Sequence, residues 1–209
     1  MKKIYANMIL VIVTVVWGGG FIATDGALDA LSPFYIMMIR FVGAAVFPLL
    51  ICWKKLRNLD RTTIGHGIIT GIFLFLAFAF QTFGLKYSTP SKNAFLTATN
   101  VVFVPYLLWL FLHRRPSRKE LIASLLCIAG IALLTLKKDA LMLGIGDILS
   151  LICALFFALH IIALERYSAH VDTVCMTALQ MLTAGVISTI CALTMEQPPV
   201  SFDWHAAGN

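Results

Sequence analysis

The chain has 209 residues, of which 60% are hydrophobic and 12% are charged, and its mean hydropathy is +0.90. Soluble globular domains carry roughly 45–50% apolar and about 25% charged residues, so this composition excludes an ordinary soluble domain and indicates a membrane protein. The net charge of +6 would suit a nucleic-acid partner, but the positions of the charges favour another explanation.

Continuous apolar runs follow one another along the chain, each close to the about 20 residues that cross a hydrocarbon layer roughly 30 Å thick. The first run is longer than the core of a signal peptide. Because the runs are continuous and not alternating, they favour helices over a barrel. The sequence therefore predicts an all-α polytopic membrane bundle, with seven transmembrane helices at 4–23, 34–53, 64–85, 93–112, 119–137, 147–165 and 173–195.

The basic residues lie mainly on one side of this bundle. If the N-terminus is inside, the inner segments hold Lys2, Lys3, Lys54, Lys55, Arg57, Arg61, Arg114, Arg115, Arg118, Lys119 and Arg166. The outer loops hold only Lys86, Lys92, Lys137 and Lys138. The positive-inside rule then predicts a multi-pass protein of the cell inner membrane with a cytoplasmic N-terminus. This distribution explains the net charge by contact with the lipid bilayer and predicts no nucleic-acid partner.

The fifth predicted helix has a recognisable start. Ser117 precedes Glu120 by three residues, which is the spacing of a capping box. We therefore expect each of these two side chains to accept a backbone N–H of the other residue.

The stretch 81–105 is the most polar part of its apolar surroundings. Gln81 ends the third run, and a tight turn with Ser-Thr-Pro at its centre follows. Asn93, Thr97 and Asn100 are spaced at i, i+4 and i+7, so they would share one face of the fourth helix. In a membrane such a face either lines a solute path or bonds to a neighbouring helix, and both explanations stay open.

Arg40 lies inside the second predicted helix, about seven residues and roughly 10 Å from its start. A charge at that depth costs about 2.5–3.5 kcal/mol on insertion scales unless it is paired or hydrated. Arg40 either extends towards the membrane surface or faces inward and attracts an anionic group of a substrate, such as a carboxylate. Asp25 and Asp29 are candidate partners, although solvated loop acids are the simpler account of both.

The first and sixth helices carry further candidates for the wall of a solute path. Trp17 and Phe21 flank three consecutive glycines, which allow either close helix packing or a hinge. His160 in the sixth helix could relay protons or bond to one neighbouring helix.

The sequence offers no pattern for a catalytic, metal or cofactor site. Its five cysteines are scattered through apolar runs, with no paired spacing and no nearby His or carboxylate spacing that completes a metal site. We interpret them as small apolar residues.

An offset of 140 residues aligns 147–190 with 7–50 without a gap in the connecting loop. Trp17 then matches Phe157, and Arg40 matches Gln180. A repeat unit of five helices is odd in number, so the second copy would insert upside down. Inverted repeats are typical of secondary transporters, whose binding sites lie between the copies near the membrane centre.

Several segments resemble, in order and spacing, the EamA-type branch of the drug/metabolite transporter superfamily. They include Trp17-Gly18 with Phe21, Arg40-Phe41, Gly84 to Ser88, Ala94 to Leu96, Val104-Pro105, Arg115 to Ser117, Gly130 to Leu134 and Gly146 to Leu149. The resemblance implies ten helices in two inverted halves of five and the export or uptake of small metabolites such as amino acids. We therefore expect one five-helix repeat at 1–138 and an incomplete second repeat at 139–209, as in a C-terminally truncated member.

Three functions follow as hypotheses. The first is a secondary transporter that moves a small metabolite, such as an amino acid, by alternating access. A homodimer is a candidate assembly of this transporter. Its expected substrate-binding residues are Trp17, Phe21, Arg40, Gln81, Asn93, Thr97, Asn100 and His160. The second is a non-transporting membrane fragment or interaction partner. The third, a membrane enzyme, would need His113, His170 and Asp172, which form no recognisable constellation, so we predict no enzyme.

Overall fold

The computed structural model describes residues 2–56, 59–135, 144–168 and 171–198. All regular elements in these ranges are helices, which confirms the predicted all-α polytopic membrane bundle. They are α1 Lys2–Leu28, α2 Pro33–Leu56, α3 Arg61–Lys86, α4 Pro90–Thr97, α5 Asn100–Leu112, α6 Arg118–Thr135, α7 Ile145–Tyr167 and α8 Thr173–Met195.

Six helical segments in the described ranges are long and apolar enough to cross a membrane, with α4 and α5 together forming one of them. The remaining predicted span corresponds to α6, which begins with three charged residues, Arg118, Lys119 and Glu120. Its predicted end at 137 lies outside the described residues.

Local capping explains where several helices begin. The Asp60 carboxylate accepts the Thr63 N–H at the start of α3, and Thr89 caps α4, whose first residue is Pro90. The predicted capping box of α6 is confirmed, because the Ser117 N–H donates to the Glu120 carboxylate and the Glu120 N–H donates to the Ser117 hydroxyl.

The predicted continuous helix at 93–112 is wrong in one respect. The helix is interrupted at Ala98 and Thr99, between α4 and α5. The Thr99 hydroxyl donates to the Leu96 carbonyl at 2.6 Å, so a side chain competes with the helical backbone there. Asn93 and Asn100 therefore lie on two successive helices.

Helices α2, α3, α7 and α8 form the packed body of the protein. Their core contains Met37, Phe41, Leu74, Phe75, Ala77, Ala79, Cys153, Phe157 and Ala184. Glycines allow the close approaches between these helices. A Cβ on Gly71 of α3 would lie 2.5 Å from Thr183 of α8, and one on Gly146 of α7 would lie 2.6 Å from the Tyr87 carbonyl oxygen.

Polar contacts fasten α2 to α8 at both ends. The Glu196 carboxylate accepts the N–H groups of Phe34 and Tyr35 at 3.1–3.2 Å, in the first turn of α2, where an anion also suits the helix dipole. At the other end of α2, Lys55 forms an ion pair with Asp172, the N-cap of α8. The hydrogen bond from Lys55 and two backbone N–H donors lower the pKa of the Asp172 carboxyl below its ordinary value.

Helix α1 is packed quite differently from this body. Its apolar side chains are largely exposed, and Val15, Val16 and Ile22 each keep 69–70% of their surface open. A Cβ on Gly18, Gly19 or Gly20 would meet nothing within 4 Å. No described residue packs closely against these glycines, and close helix packing and a hinge both stay predictions.

Candidate functional site

Arg40 of α2 extends sideways between helices α1 and α3. Its Nη1 donates to the Thr24 hydroxyl of α1 at 3.0 Å, and its guanidinium lies 5.0 Å from the centroid of the Phe78 ring of α3. No Asp or Glu among the described residues lies within 4.0 Å of its charged group. Neither Asp25 nor Asp29 pairs with it. The hydroxyl of Thr24 and the ring of Phe78 are the side-chain groups that contact its guanidinium.

A small chamber lies beside Arg40, where α1, α2 and α3 meet. Its volume is about 10 Å³, which is roughly the space of one water molecule. It is lined by Trp17, Gly20, Phe21, Thr24, Arg40, Gln81, Thr82 and Leu85. Four of the eight predicted site residues, namely Trp17, Phe21, Arg40 and Gln81, therefore share one chamber.

Two larger cavities adjoin this chamber along α1. A groove of about 280 Å³ between α1 and α2 shares Gly20, Thr24 and Arg40 with it. A cavity of about 330 Å³ between α1 and α4–α5 shares Trp17 and Phe21. The three spaces thus share lining residues, with Arg40 between the chamber and the groove and the two aromatic residues between the chamber and the cavity.

An aromatic row supports the chamber from the packed body. Phe41 and Phe78 are in edge contact with ring centroids 5.1 Å apart, and Phe78 is 5.3 Å from Phe157. Trp17 of α1 contacts Phe157 at 6.2 Å. The Trp17–Phe157 contact is one of the few between α1 and α7. The contacts with Phe41 and Phe157 hold the Phe78 ring in place beside Arg40.

The polar face predicted on the fourth helix is divided between two roles. The Asn93 amide donates to the Gln81 carbonyl at 3.1 Å and to the Ser150 hydroxyl at 2.9 Å, which joins α4 to α3 and α7. Thr97 lies 3.7 Å from the Cys153 sulfur. Asn100 lines the 330 Å³ cavity together with Thr97. Asn93 thus bonds to neighbouring helices, while Asn100 faces a cavity.

His160 lies in contact with α8, where its Nε2 is 2.8 Å from the Gln180 side-chain oxygen. It is not among the residues that line the chamber. Of the residues considered for catalysis, Asp172 is engaged with Lys55 and with two N–H groups of α8, and His170 lies outside the described residues.

Two polar features near the site were not predicted. Thr24 holds Arg40 and lies on the same helical face as Trp17 and Phe21, so its spacing was an available signal. Lys92, counted as an outer-loop charge, pairs at 2.5 Å with Asp147, whose side chain is only 3% exposed. Asp147 also accepts the Ser88 hydroxyl at 3.3 Å and the Gly144 N–H at 3.0 Å. No local pattern announces this pair, because its members are 55 residues apart.

Several curated relatives of the chain are described as uncharacterized transporters. It is 35% identical over 170 residues to an uncharacterized transporter of Archaeoglobus fulgidus, a match that covers 80% of this chain and 51% of the relative. It is 25% identical to an uncharacterized transporter of Buchnera aphidicola, over 97% of this chain and 69% of that one. It is 22% identical to the protein PagO of Salmonella typhimurium, over 99% of this chain and 70% of that one. The chain thus spans about half the length of the Archaeoglobus relative.

The fold also matches a solved crystal structure with a TM-score of 0.63 at 18% identity, over 92% of this chain and 68% of the other. At this identity the likeness concerns the fold alone. The family model described as the EamA-like transporter family matches residues 4–136, which is more than half of the chain. The chain, a multi-pass membrane protein, therefore belongs to the EamA-like transporter family.

Proposed function

We propose that the protein moves a small metabolite, an amino acid or a related compound, across the cell inner membrane by alternating access. The observation that carries this proposal is Arg40, a cation within a membrane-spanning helix that adjoins a chamber and has no carboxylate partner in the described ranges. Charged groups inside spans are expensive and typically serve a solute path. The family membership agrees with transport in general.

Helix α1 is the element best suited to open and close this path. The chamber, the α1–α2 groove and the α1–α4/α5 cavity all have α1 as one wall. A shift of α1 against the packed body would join these spaces in turn, and alternating access generally works by rocking or gating of one helix bundle against another. The glycines at 18–20 are then a hinge within a helix that has little to hold it in place.

We infer that the two helical pairs α1–α2 and α7–α8 are inverted copies. A groove between α2 and α8 supports this, because eight of its nine lining residues match in pairs at the offset of 140 seen in the sequence. The pairs are Val42 with Leu182, Ala45 with Gly185, Val46 with Val186, and Leu49 with Thr189. Such a match is expected where a two-fold axis in the membrane plane passes between the two helices.

Uptake into proteoliposomes tests the transport function. The 209-residue chain is reconstituted, and flux is measured for a panel of radiolabelled amino acids and related metabolites. Arg40→Ala should lower the flux of any transported member at least about tenfold, since a charge-assisted bond to a solute is worth about 1.5–3 kcal/mol. Arg40→Lys should retain part of it.

Arg114→Ala is the matched control, because Arg114 is an exposed arginine outside the chamber. It should leave flux within about twofold of the wild type. Unchanged flux in a folded Arg40→Ala variant would remove Arg40 from the path, and no flux above that of empty vesicles would contradict transport by this chain.

A second candidate function is association with another membrane polypeptide, including a second copy of the chain. The broad apolar surface of α1 favours it. In that case the reconstituted chain shows no flux, and cysteine cross-linking from exposed α1 positions such as Val15 captures a partner helix. Cross-linking between two copies would assign the homodimer.

A further inference from the structure

The chamber beside Arg40 holds hydrogen-bond donors that the described residues leave unpaired. Gln81 is 5% exposed, and its Nε2 has no hydrogen-bond partner among the residues that the structure describes. Arg40 uses Nη1 for Thr24 and keeps further N–H groups. The two threonine hydroxyls of the lining donate to the backbone, Thr24 to the Gly20 carbonyl and Thr82 to the Phe78 carbonyl. A ligand in the chamber would therefore need an acceptor atom for the unpaired N–H groups of Gln81 and Arg40.

The size of the chamber limits what that acceptor can be. About 10 Å³ accommodates a single oxygen-sized atom. A water molecule could accept from Gln81, but it would leave the guanidinium without a counter-charge. One oxygen of a carboxylate would accept from Gln81 and from Arg40 together, and the planar guanidinium suits a carboxylate with two parallel bonds.

The remainder of such a ligand has a place to lie. The adjoining groove of about 280 Å³ shares Arg40 with the chamber and is otherwise mainly apolar, with Ala23, Ala27, Leu31, Ile36 and Ile39 along it. None of the residues that line this groove is an acid, so the groove offers an ammonium group no counter-ion. It favours a tail of carbon and hydrogen.

We propose that Arg40 and Gln81 form a two-donor site for the carboxylate of an apolar-tailed acid, whose tail lies in the α1–α2 groove. This proposal rests on the proposed function only in that the same chamber would lie on the solute path. Among the amino acids and related compounds of the proposed function, it selects a related acid that carries no ammonium group. It also gives Gln81 a role in specificity beside Arg40.

A matched ligand series tests the charge requirement without any substitution. The probes are 4-methylpentanoate, 4-methylpentanamide and 3-methylbutylamine, which keep a branched apolar tail of similar size and change the head group. The melting temperature of the purified chain and the fluorescence of Trp17, with the other tryptophans replaced, report binding. Only the carboxylate should raise the melting temperature and alter the Trp17 emission. An equal response to the amide or the amine would overturn the proposal.

Substitution of Gln81 separates a ligand role from a structural one. Gln81→Leu removes an unpaired buried donor, so the ligand-free protein should melt at a higher temperature while carboxylate binding weakens about 10- to 100-fold. Gln81→Glu places a carboxylate beside Arg40 and should abolish binding of the added acid. If both variants bind 4-methylpentanoate as the wild type does, Gln81 has no such role and the proposal falls.

Gln180→Leu is the control for this series. Gln180 is also buried, but its side chain is paired with His160 and lies outside the chamber. Its replacement should lower the melting temperature and leave carboxylate binding within about twofold. A loss of binding as large as that of Gln81→Leu would attribute the effect to general loosening, and would count against the proposal.

Two sources could supply an apolar-tailed acid, namely a soluble short-chain acid and a fatty acid of the bilayer. Competition in lipid nanodiscs between 4-methylpentanoate and palmitate distinguishes them. Stronger binding of the short acid assigns a soluble solute, and stronger binding of palmitate assigns a membrane lipid. Failure of both to bind overturns the proposal.

These binding measurements do not depend on transport. Carboxylate binding by a chain that shows no flux for any solute would contradict the transport function and leave the carboxylate site intact. Flux of a neutral or cationic solute, with no carboxylate binding, would contradict the site and leave transport intact.

Discussion

Helix α1 and the body formed by α2, α3, α7 and α8 use polar and small residues in opposite ways. In the body, glycines bring helices into contact and polar side chains such as Asp147 and Ser150 of α7 are bonded to neighbouring residues. Along α1, three glycines face open space. The chamber beside it holds a side-chain NH2 group and a cation that have, within the described ranges, no acceptor and no carboxylate respectively. The difference teaches that composition alone does not assign a residue to packing or to function. The neighbouring groups that contact a residue decide whether it serves packing or function.

Removal of the Lys92 charge should weaken the body more than any change on α1. Lys92→Met leaves the buried Asp147 carboxylate without its cation, and breaking a buried ion pair costs about 3–5 kcal/mol. We expect a loss of about 3 kcal/mol in the free energy of unfolding, because Lys92 remains 22% exposed. Reversible unfolding in mixed micelles with a denaturing detergent measures it.

Lys86→Met is the control for this change, because Lys86 is an exposed lysine at the end of α3. It should alter the free energy of unfolding by less than about 0.5 kcal/mol. Equal effects of the two substitutions would mean that the Lys92–Asp147 pair does not fasten α4 to α7.

A pair of glycine substitutions compares the two regions directly. Gly146→Ala places a Cβ 2.6 Å from a backbone oxygen of the α3–α4 turn and should cost about 1–3 kcal/mol. Gly19→Ala meets nothing and should stabilise α1 by up to about 1 kcal/mol through helix propensity. The same unfolding measurement applies to both. If Gly19→Ala destabilises as much as Gly146→Ala, the contrast between α1 and the body is wrong.

The smallest expected effect is the pH dependence of stability that comes from the Lys55–Asp172 contact between α2 and α8. The folded-state pKa of Asp172 lies below its ordinary value of 3.8, chiefly through the hydrogen bond from Lys55. A depressed pKa gives stabilisation that is complete above the unfolded-state pKa and is lost as the pH falls through the folded-state value. The effect is small because Lys55 and Asp172 are 65% and 35% exposed.

Melting temperatures of the wild type and of Asp172→Asn measure this effect between about pH 7 and about pH 3. The wild type should be more stable at the upper end, and the difference should shrink in the acid range. A difference that does not change with pH would show that the charge of Asp172 contributes nothing to the contact.

Much of the helical architecture follows from local sequence. The predicted span at 173–195 coincides with α8, and the one at 64–85 differs from α3 by only a few residues. A continuous apolar run of membrane length leaves the backbone few alternatives to a helix. The capping box at Ser117 and Glu120 was equally local and equally predictable.

What could not be predicted depends on contacts between distant segments. Lys92 looked like a loop charge because its partner Asp147 is 55 residues away. The interruption at Ala98 and Thr99 contains neither Pro nor Gly, so no composition signal announced it. Of the predicted site, Trp17, Phe21, Arg40 and Gln81 meet in the chamber, whereas the unpaired Nε2 of Gln81 becomes visible only in three dimensions.

The carboxylate of Glu196, which accepts the first N–H groups of α2, has a consequence for biosynthesis. It is made 162 residues after Phe34, so at about 5–20 residues per second the ribosome supplies it roughly 8–32 s later. Throughout that interval water or lipid head groups must satisfy the start of α2. The bundle is therefore closed at this end only after α8 has been synthesised, and a chain that ends before Glu196 lacks this cap on its second helix.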